Sequence, residues 1–240
     1  MGKYEIAGTT FELKPLFDYC KKNYAEFSAA DNAAAEFTVE STAEALKKER
    51  ELFGFSEKVP DPYVEDIFFE RAVCGYILDK KNGTLFHGSV IEYKGEGYAF
   101  TARSGTGKST HARLWRELLG DKVKMVNDDK PIVRIVDGVP IVYGTPWKGK
   151  HRLGGIKGVP LKAVCKIVQA KENEIREVSV KEFLPTFFIQ CYRPEDRDGN
   201  EKFFSFLDGL LKSVKLYELK CNISKNAAIL SFNTMTGDKI

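Results

Sequence analysis

The run Ser104-Gly105-Thr106-Gly107-Lys108-Ser109-Thr110 carries the densest chemistry in the chain. Gly105 and Gly107 permit positive φ and close backbone approach, so successive N–H groups face one small concavity where a helix begins and its dipole adds positive potential. Lys108 reaches terminal phosphate oxygens, and the Ser109 hydroxyl can ligate Mg2+. The pattern G-x-x-x-x-G-K-[ST] is met except at its first position, where Ala102 stands in place of glycine. These residues read as a polyphosphate cradle.

Asp128 and Asp129 follow Lys108 by twenty and twenty-one positions, at the end of the apolar run Val123 to Val126. Adjacent carboxylates at a strand end divide labour: one holds Mg2+ directly or through water, and the other accepts the proton of an attacking hydroxyl. The plainer alternative is a solvated turn before Pro131. His87, in the strand-like run Leu85 to Ile91, can orient a phosphate or tune an acid, with a purely structural role equally open. His111 reads as helix surface. The segment Gly144 to Arg152 places Trp147, Lys148, Lys150, His151 and Arg152 in one glycine-punctuated loop. It can neutralise a transferring phosphate or hold an anionic acceptor, with Arg152 as a bidentate donor, or be an ordinary solvated basic loop.

Positioning these groups requires a strand, a loop, a helix and a strand in succession. Tyr98 to Thr101 supplies the first strand, after a partner run and the turn Lys94-Gly95-Glu96-Gly97. Thr110 to Leu119 has a helical stripe at Leu114, Trp115 and Leu118 stopped by Gly120, and Val123 to Val126 is the next strand. Ile132 to Ile135 and Val139 to Tyr143 predict a hairpin around Asp137-Gly138, and Ala163 to Val168 a further strand. Upstream, Lys3 to Ile6 with Thr10 to Leu13 predicts a hairpin, Ala35 to Val39 a strand, and Ala43 to Phe53 and Tyr63 to Leu78 helices. Downstream, Lys181 to Tyr192 and Glu201 to Leu211 predict helices, and Lys215 to Leu219 a last strand.

With 240 residues and 43% hydrophobic side chains, the chain can bury a full core. The expectation is one α/β domain with a mixed sheet over 1–240: an N-terminal α/β cover at 1–83, the phosphate-loop core at 84–168, and C-terminal helices and strand at 169–240. A net charge of +3 from 37 basic and 34 acidic residues, with no long single-sign block, argues against nucleic acid or an anionic membrane as partner. Five scattered cysteines with no C-x-x-C pair argue against a disulfide framework and a zinc site. Met1 to Thr10 lacks the apolar core of a signal peptide, and no stretch approaches the roughly 18 apolar residues of a membrane span. A soluble, cytoplasmic protein is expected.

The loop from Ser104 to Thr110, followed closely by Asp128-Asp129 and preceded by His87-Gly88, resembles the catalytic domain of HPr kinase/phosphorylase. The same loop is similar to the nucleotide site of ATP-dependent phosphoenolpyruvate carboxykinase, a family related in its P-loop core. The resemblance covers roughly Leu85 to Val168. Thr110 stands where the HPr enzymes usually carry glutamate, and Asn127-Asp128-Asp129-Lys130-Pro131 replaces the Gly-Asp-Asp-Glu-His run of the carboxykinases. The resemblance implies a fold of the HPr kinase and carboxykinase type, with ATP and Mg2+ as cofactors. It implies that Lys108 contacts the β/γ-phosphates, Ser109 and Asp129 hold Mg2+, Asp128 is the general base, and His87 assists at the phosphate. The base and metal roles of the two aspartates are exchangeable at this point. The expected activity is transfer of the γ-phosphoryl group of ATP to a hydroxyl on a protein, a peptide or a small molecule. Alternatives are a non-catalytic nucleotide-binding sensor or assembly module and a simple NTPase. Assembly into a homo-oligomer is implied only by analogy.

Overall fold

Side chains with matching periodicity build each element, and short polar caps bound them. The computed structural model describes residues 1–240. Strands β1 (Gly2–Ile6) and β2 (Thr9–Lys14) form a hairpin whose alternate residues Phe11 and Leu13 point inward. Helix α1 (Asp18–Asn23) follows, and β3 (Phe37–Glu40) pairs parallel with β2 to close a three-stranded sheet. Helix α2 (Ala43–Phe53) starts where the Thr42 side chain accepts from Ala45 N–H, and ends at Gly54 in the left-handed region. Helix α3 (Asp61–Lys81) has proline in its first turn and buries Phe69, Val73 and Ile77 against the small sheet.

The site-bearing part begins with β4 (Gly83–Leu85), β5 (Ser89–Tyr93), β6 (Glu96–Thr101), helix α4 (Lys108–Leu119) and β7 (Val123–Asn127). The hairpin β8 (Ile132–Val136) and β9 (Val139–Tyr143) follows, then the long β10 (Gly158–Gln169) and β11 (Glu174–Glu177). Helices α5 (Val180–Gln190) and α6 (Arg197–Leu211), strand β12 (Lys215–Cys221) and helix α7 (Lys225–Thr236) complete the chain. Nine strands make one mixed sheet along the path β4-β8-β9-β10-β6-β5-β7, with β12 on β10 and β11 on β12. The start of β10 pairs antiparallel with β9, and its later residues run parallel to both β6 and β12, with Val164 opposite Ala99 and Leu216.

Two cores cover the two faces of this sheet. On one, α4 and α7 enclose Trp115 and Phe232, whose rings meet edge to face at 5.2 Å. On the other, α5 and α6 contribute Phe183, Phe187, Phe203 and Phe206. The small sheet and α3 form a third cluster that also takes in Leu85, Ile132 and Trp147 of the larger unit, so one packed body results. No helix is long and apolar enough to cross a membrane.

Two expectations change in the structure. The run Leu85 to Ile91 is two strands, because successive N–H groups take different partners: Phe86 donates to Pro131, His87 to Gln190 and Gly88 to Asp129. A Cβ at Gly88 would stand 2.9 Å from the Phe100 carbonyl oxygen, so this crossing needs glycine. His111 is buried rather than on the helix surface. It lies against the Phe100 ring at 4.8 Å, pairs its Nε2 with Ser231 Oγ at 2.8 Å, and burial lowers its pKa to about 4. The Ser231 hydroxyl also accepts from the Trp115 indole at 2.9 Å and donates to the Ala228 carbonyl. Trp115 therefore fills volume and holds a buried polar junction. Trp115→Ala is expected to cost about 3–5 kcal/mol of stability, measured by denaturant unfolding, with near-wild-type stability contradicting its place at the centre of this core.

Candidate functional site

The carboxyl ends of the parallel strands are where an open α/β sheet leaves a crevice. Strand β6 ends at Thr101, and the chain turns through Ala102–Gly107 into α4. Gly105 and Gly107 have φ of +78° and +121°, and a Cβ at either would meet nothing within 4 Å, so backbone conformation is what requires glycine. Ala102 has no positive φ, which reconciles alanine with the first position of the loop. No side chain caps the start of α4. Its first N–H groups are therefore left without a side-chain acceptor, and the helix dipole adds positive potential at this end. Lys108 is buried, and its ammonium donates to the Ala102 carbonyl at 3.0 Å, folded back over its own loop. Burial lowers its pKa, with Asp129 opposing the shift.

The two aspartates that follow strand β7 take different partners. Asn127 fixes this end of the strand: its Oδ1 accepts from the N–H of Asp129 and of Lys130, each at 2.8 Å, while its Nδ2 donates to Thr145. Asp128 is 5% exposed and accepts from Gly149 N–H at 2.7 Å. It lines a cavity of about 350 Å³ with Ser89, Ser109, Arg116 and His151. Asp129 turns to His87, whose Nε2 lies 3.2 Å from its Oδ1. Burial would raise the Asp129 pKa, but the His87 hydrogen bond and the charges of His87, Lys130 and Lys108 outweigh it and hold the carboxyl below its ordinary range. Ser109 thus shares its cavity with Asp128, one of the two aspartates whose base and metal roles the sequence leaves exchangeable. Asp129 pairs with His87 and feels the charge of Lys108, while Ser109 and Asp128 line the same cavity.

The basic segment after β9 folds back along β7, with a bridge between Asn127 and Gly154. Gly144 makes this possible: a Cβ there would lie 1.6 Å from the Gly155 carbonyl oxygen. The segment is partly structural. The Trp147 indole donates to the Tyr24 hydroxyl at 2.8 Å, and Lys148 is paired with Glu26. Arg152, held at φ +50°, lines a second cavity of about 140 Å³ that includes Asp66, Asp129 and Lys130. Arg116 at the Ser109 cavity and Asp66 at the Arg152 cavity carry no motif in the sequence, whereas His151 at the Ser109 cavity belongs to the basic loop Gly144 to Arg152. Arg116 comes from α4 itself, the fold-back of the basic segment brings in His151, and the packing of α3 brings in Asp66.

Magnesium needs few protein oxygens, keeping water and substrate phosphate for the rest of its shell. The Ser109 hydroxyl and the Asp128 carboxylate on one cavity wall are hard oxygen donors of that kind. No cluster of three or more His, Cys, Asp or Glu side chains stands ready to hold a metal by itself.

Asp66 has a special environment. Burial raises its pKa to about 6 against the Tyr24 hydrogen bond, with Glu70 adding to the rise and Lys130 and Arg152 opposing it. A carboxyl raised above its unfolded value near 3.9 contributes stability while protonated, and loses it as pH rises through about 6. Asp66→Asn keeps an acceptor for the Tyr24 hydroxyl. It is expected to stabilise the protein by about 1–3 kcal/mol at pH 7.5, with the gain closing as pH falls towards 4. Urea unfolding at both pH values reads this, and a pH-independent difference would contradict it.

The fold and site together define a mixed α/β protein with a glycine-rich strand-to-helix turn facing two aspartates. No family model matches the chain, and no curated protein matches it. Among solved structures, the chain is similar to the Hpr(Ser) kinase/phosphatase from Coxiella burnetii, with a TM-score of 0.40 and 11% identity over 64% of this chain and 88% of that one.

Proposed function

We propose that the protein is an ATP- and Mg2+-dependent phosphotransferase that moves the γ-phosphoryl group to a hydroxyl acceptor. The observation that carries this reading is the division of the aspartates near one glycine-rich turn, with Asp128 lining the cavity that Ser109 lines and Asp129 paired with His87 within reach of the Lys108 charge. A nucleotide binder needs one metal carboxylate, and the second gains a purpose only if an acceptor must be oriented.

In this reading the N–H groups of 104–110 receive the phosphates, and Lys108 leaves the Ala102 carbonyl for the β/γ-phosphate oxygens. Ser109 and Asp128 hold Mg2+, which when bound neutralises charge on the phosphates. Asp129, kept ionised and oriented by His87, receives the acceptor proton as the acceptor oxygen bonds to the γ-phosphorus. The bond from that phosphorus to the bridging oxygen breaks, and ADP leaves with the electron pair. A low-pKa carboxylate suits a loose transition state, which asks for positioning more than basicity. Arg152 supplies positive charge on the acceptor side.

Calorimetric titration with MgATP tests the first requirement. Wild type is expected to bind, and absence of binding would refute the reading. Bound ATP without product would leave the sensor, and ADP release independent of any acceptor would leave the NTPase.

A further inference from the structure

Resting on the phosphotransferase reading, we infer that the cavity beside Asp129 is the acceptor pocket and that the acceptor is a small hydroxyl-bearing zwitterion, such as a hydroxy α-amino acid. Its ammonium sits on Asp66, its carboxylate on Arg152, and its hydroxyl against Asp129.

The charges lining this cavity decide the class of ligand. Lys130 is paired with Glu70 at 2.7 Å, Lys148 with Glu26, and Asp129 with His87. Two charged groups remain without an ion-pair partner in the protein. Asp66 receives only uncharged donors, the Tyr24 hydroxyl at 2.9 Å and the Cys20 thiol at 3.9 Å. The Arg152 guanidinium makes no hydrogen bond, although its backbone is fixed in the left-handed region by an N–H bond to the Gly149 carbonyl. An unpaired carboxylate at a largely buried position costs stability, which a ligand carrying the opposite charge recovers on binding.

A cation alone would satisfy Asp66 and crowd Arg152, and an anion alone would do the reverse. A molecule with both charges satisfies both, and its hydroxyl then lies on the wall that Asp129 contributes. The volume, about 140 Å³, is below the roughly 300–1,000 Å³ of drug-sized pockets and suits a ligand of few atoms. A serine within a protein chain has neither charge at its backbone and does not meet this requirement.

The test is calorimetric titration of the full chain, with and without MgADP, using L-serine, L-threonine, L-homoserine, N-acetyl-L-serine, L-serine amide and glycerol as probes. At least one of the three amino acids is expected to bind, and its derivatives lacking either charge to bind at least ten-fold more weakly. Asp66→Asn and Arg152→Gln are each expected to weaken the amino acid by roughly ten- to a hundred-fold, with MgATP affinity unchanged in Asp66→Asn. Equal binding of N-acetyl-L-serine or glycerol would overturn the inference. So would failure of all three amino acids in protein that binds MgATP, and that result leaves the phosphotransferase reading standing. Charge-dependent amino-acid binding in protein that does not bind MgATP would support the pocket while refuting the phosphotransferase.

Discussion

Lys108→Ala is expected to lower MgATP-dependent phosphoryl transfer by roughly 10²- to 10³-fold, the effect of removing one preorganised donor to developing charge. The argument is local. In the free protein the ammonium is buried and spends its hydrogen bond on the Ala102 carbonyl, so it is already over the loop and moves little to reach a phosphate. Burial weakens its hold on the proton, and the Asp129 charge restores part of it, which makes the ammonium an interaction shared between loop and carboxylate. Since alanine also fits a helix, the variant should fold, and unchanged unfolding midpoints alongside lost transfer would separate chemistry from stability. Transfer within three-fold of wild type in Lys108→Ala would contradict the assignment.

The second large effect separates the aspartates. Asp129→Asn is expected to reduce kcat by about 10²- to 10⁴-fold with little change in the Mg2+ concentration needed, because it removes the group that orients the acceptor and takes its proton. Asp128→Asn is expected to raise the Mg2+ requirement instead. Its Oδ1 accepts from Gly149 N–H, a bond an asparagine oxygen can also accept, so the loop position survives. Initial rates across a Mg2+ series distinguish the two. If Asp129→Asn shifted the Mg2+ requirement and Asp128→Asn lowered kcat alone, the roles would be exchanged and the side on which Ser109 lies would be the acceptor side.

Local signals made much of this legible from the sequence. The strand–loop–helix around Gly105 and Gly107, the adjacent carboxylates, and helix Ala43–Phe53 follow from glycine spacing, periodicity and caps, which act within a few residues. Other features depend on tertiary partners. His87 reads as part of one long strand, and only the backbone bonds to Pro131, Gln190 and Asp129 reveal the crossing between β4 and β5. His111 reads as surface because its partners, Phe100 and Ser231, come from elements remote in sequence. Helix α7 is not legible in the sequence because its buried face is built from Ala227, Ala228 and Ser231 around Phe232 and Met235, too small and polar for an apolar stripe. The different partners of Asp128 and Asp129, the Gly149 N–H and His87, come from elements remote from the pair in sequence, which no spacing along the chain encodes.

The most direct measurement follows γ-labelled ATP with Mg2+ and hydroxyl acceptors, quantifying ADP and labelled acceptor together in wild type, Lys108→Ala and Asp129→Asn. The account predicts one labelled acceptor per ADP in wild type and loss of both products in the two variants. ATP bound by wild type with neither product formed above the level of the variants would contradict it.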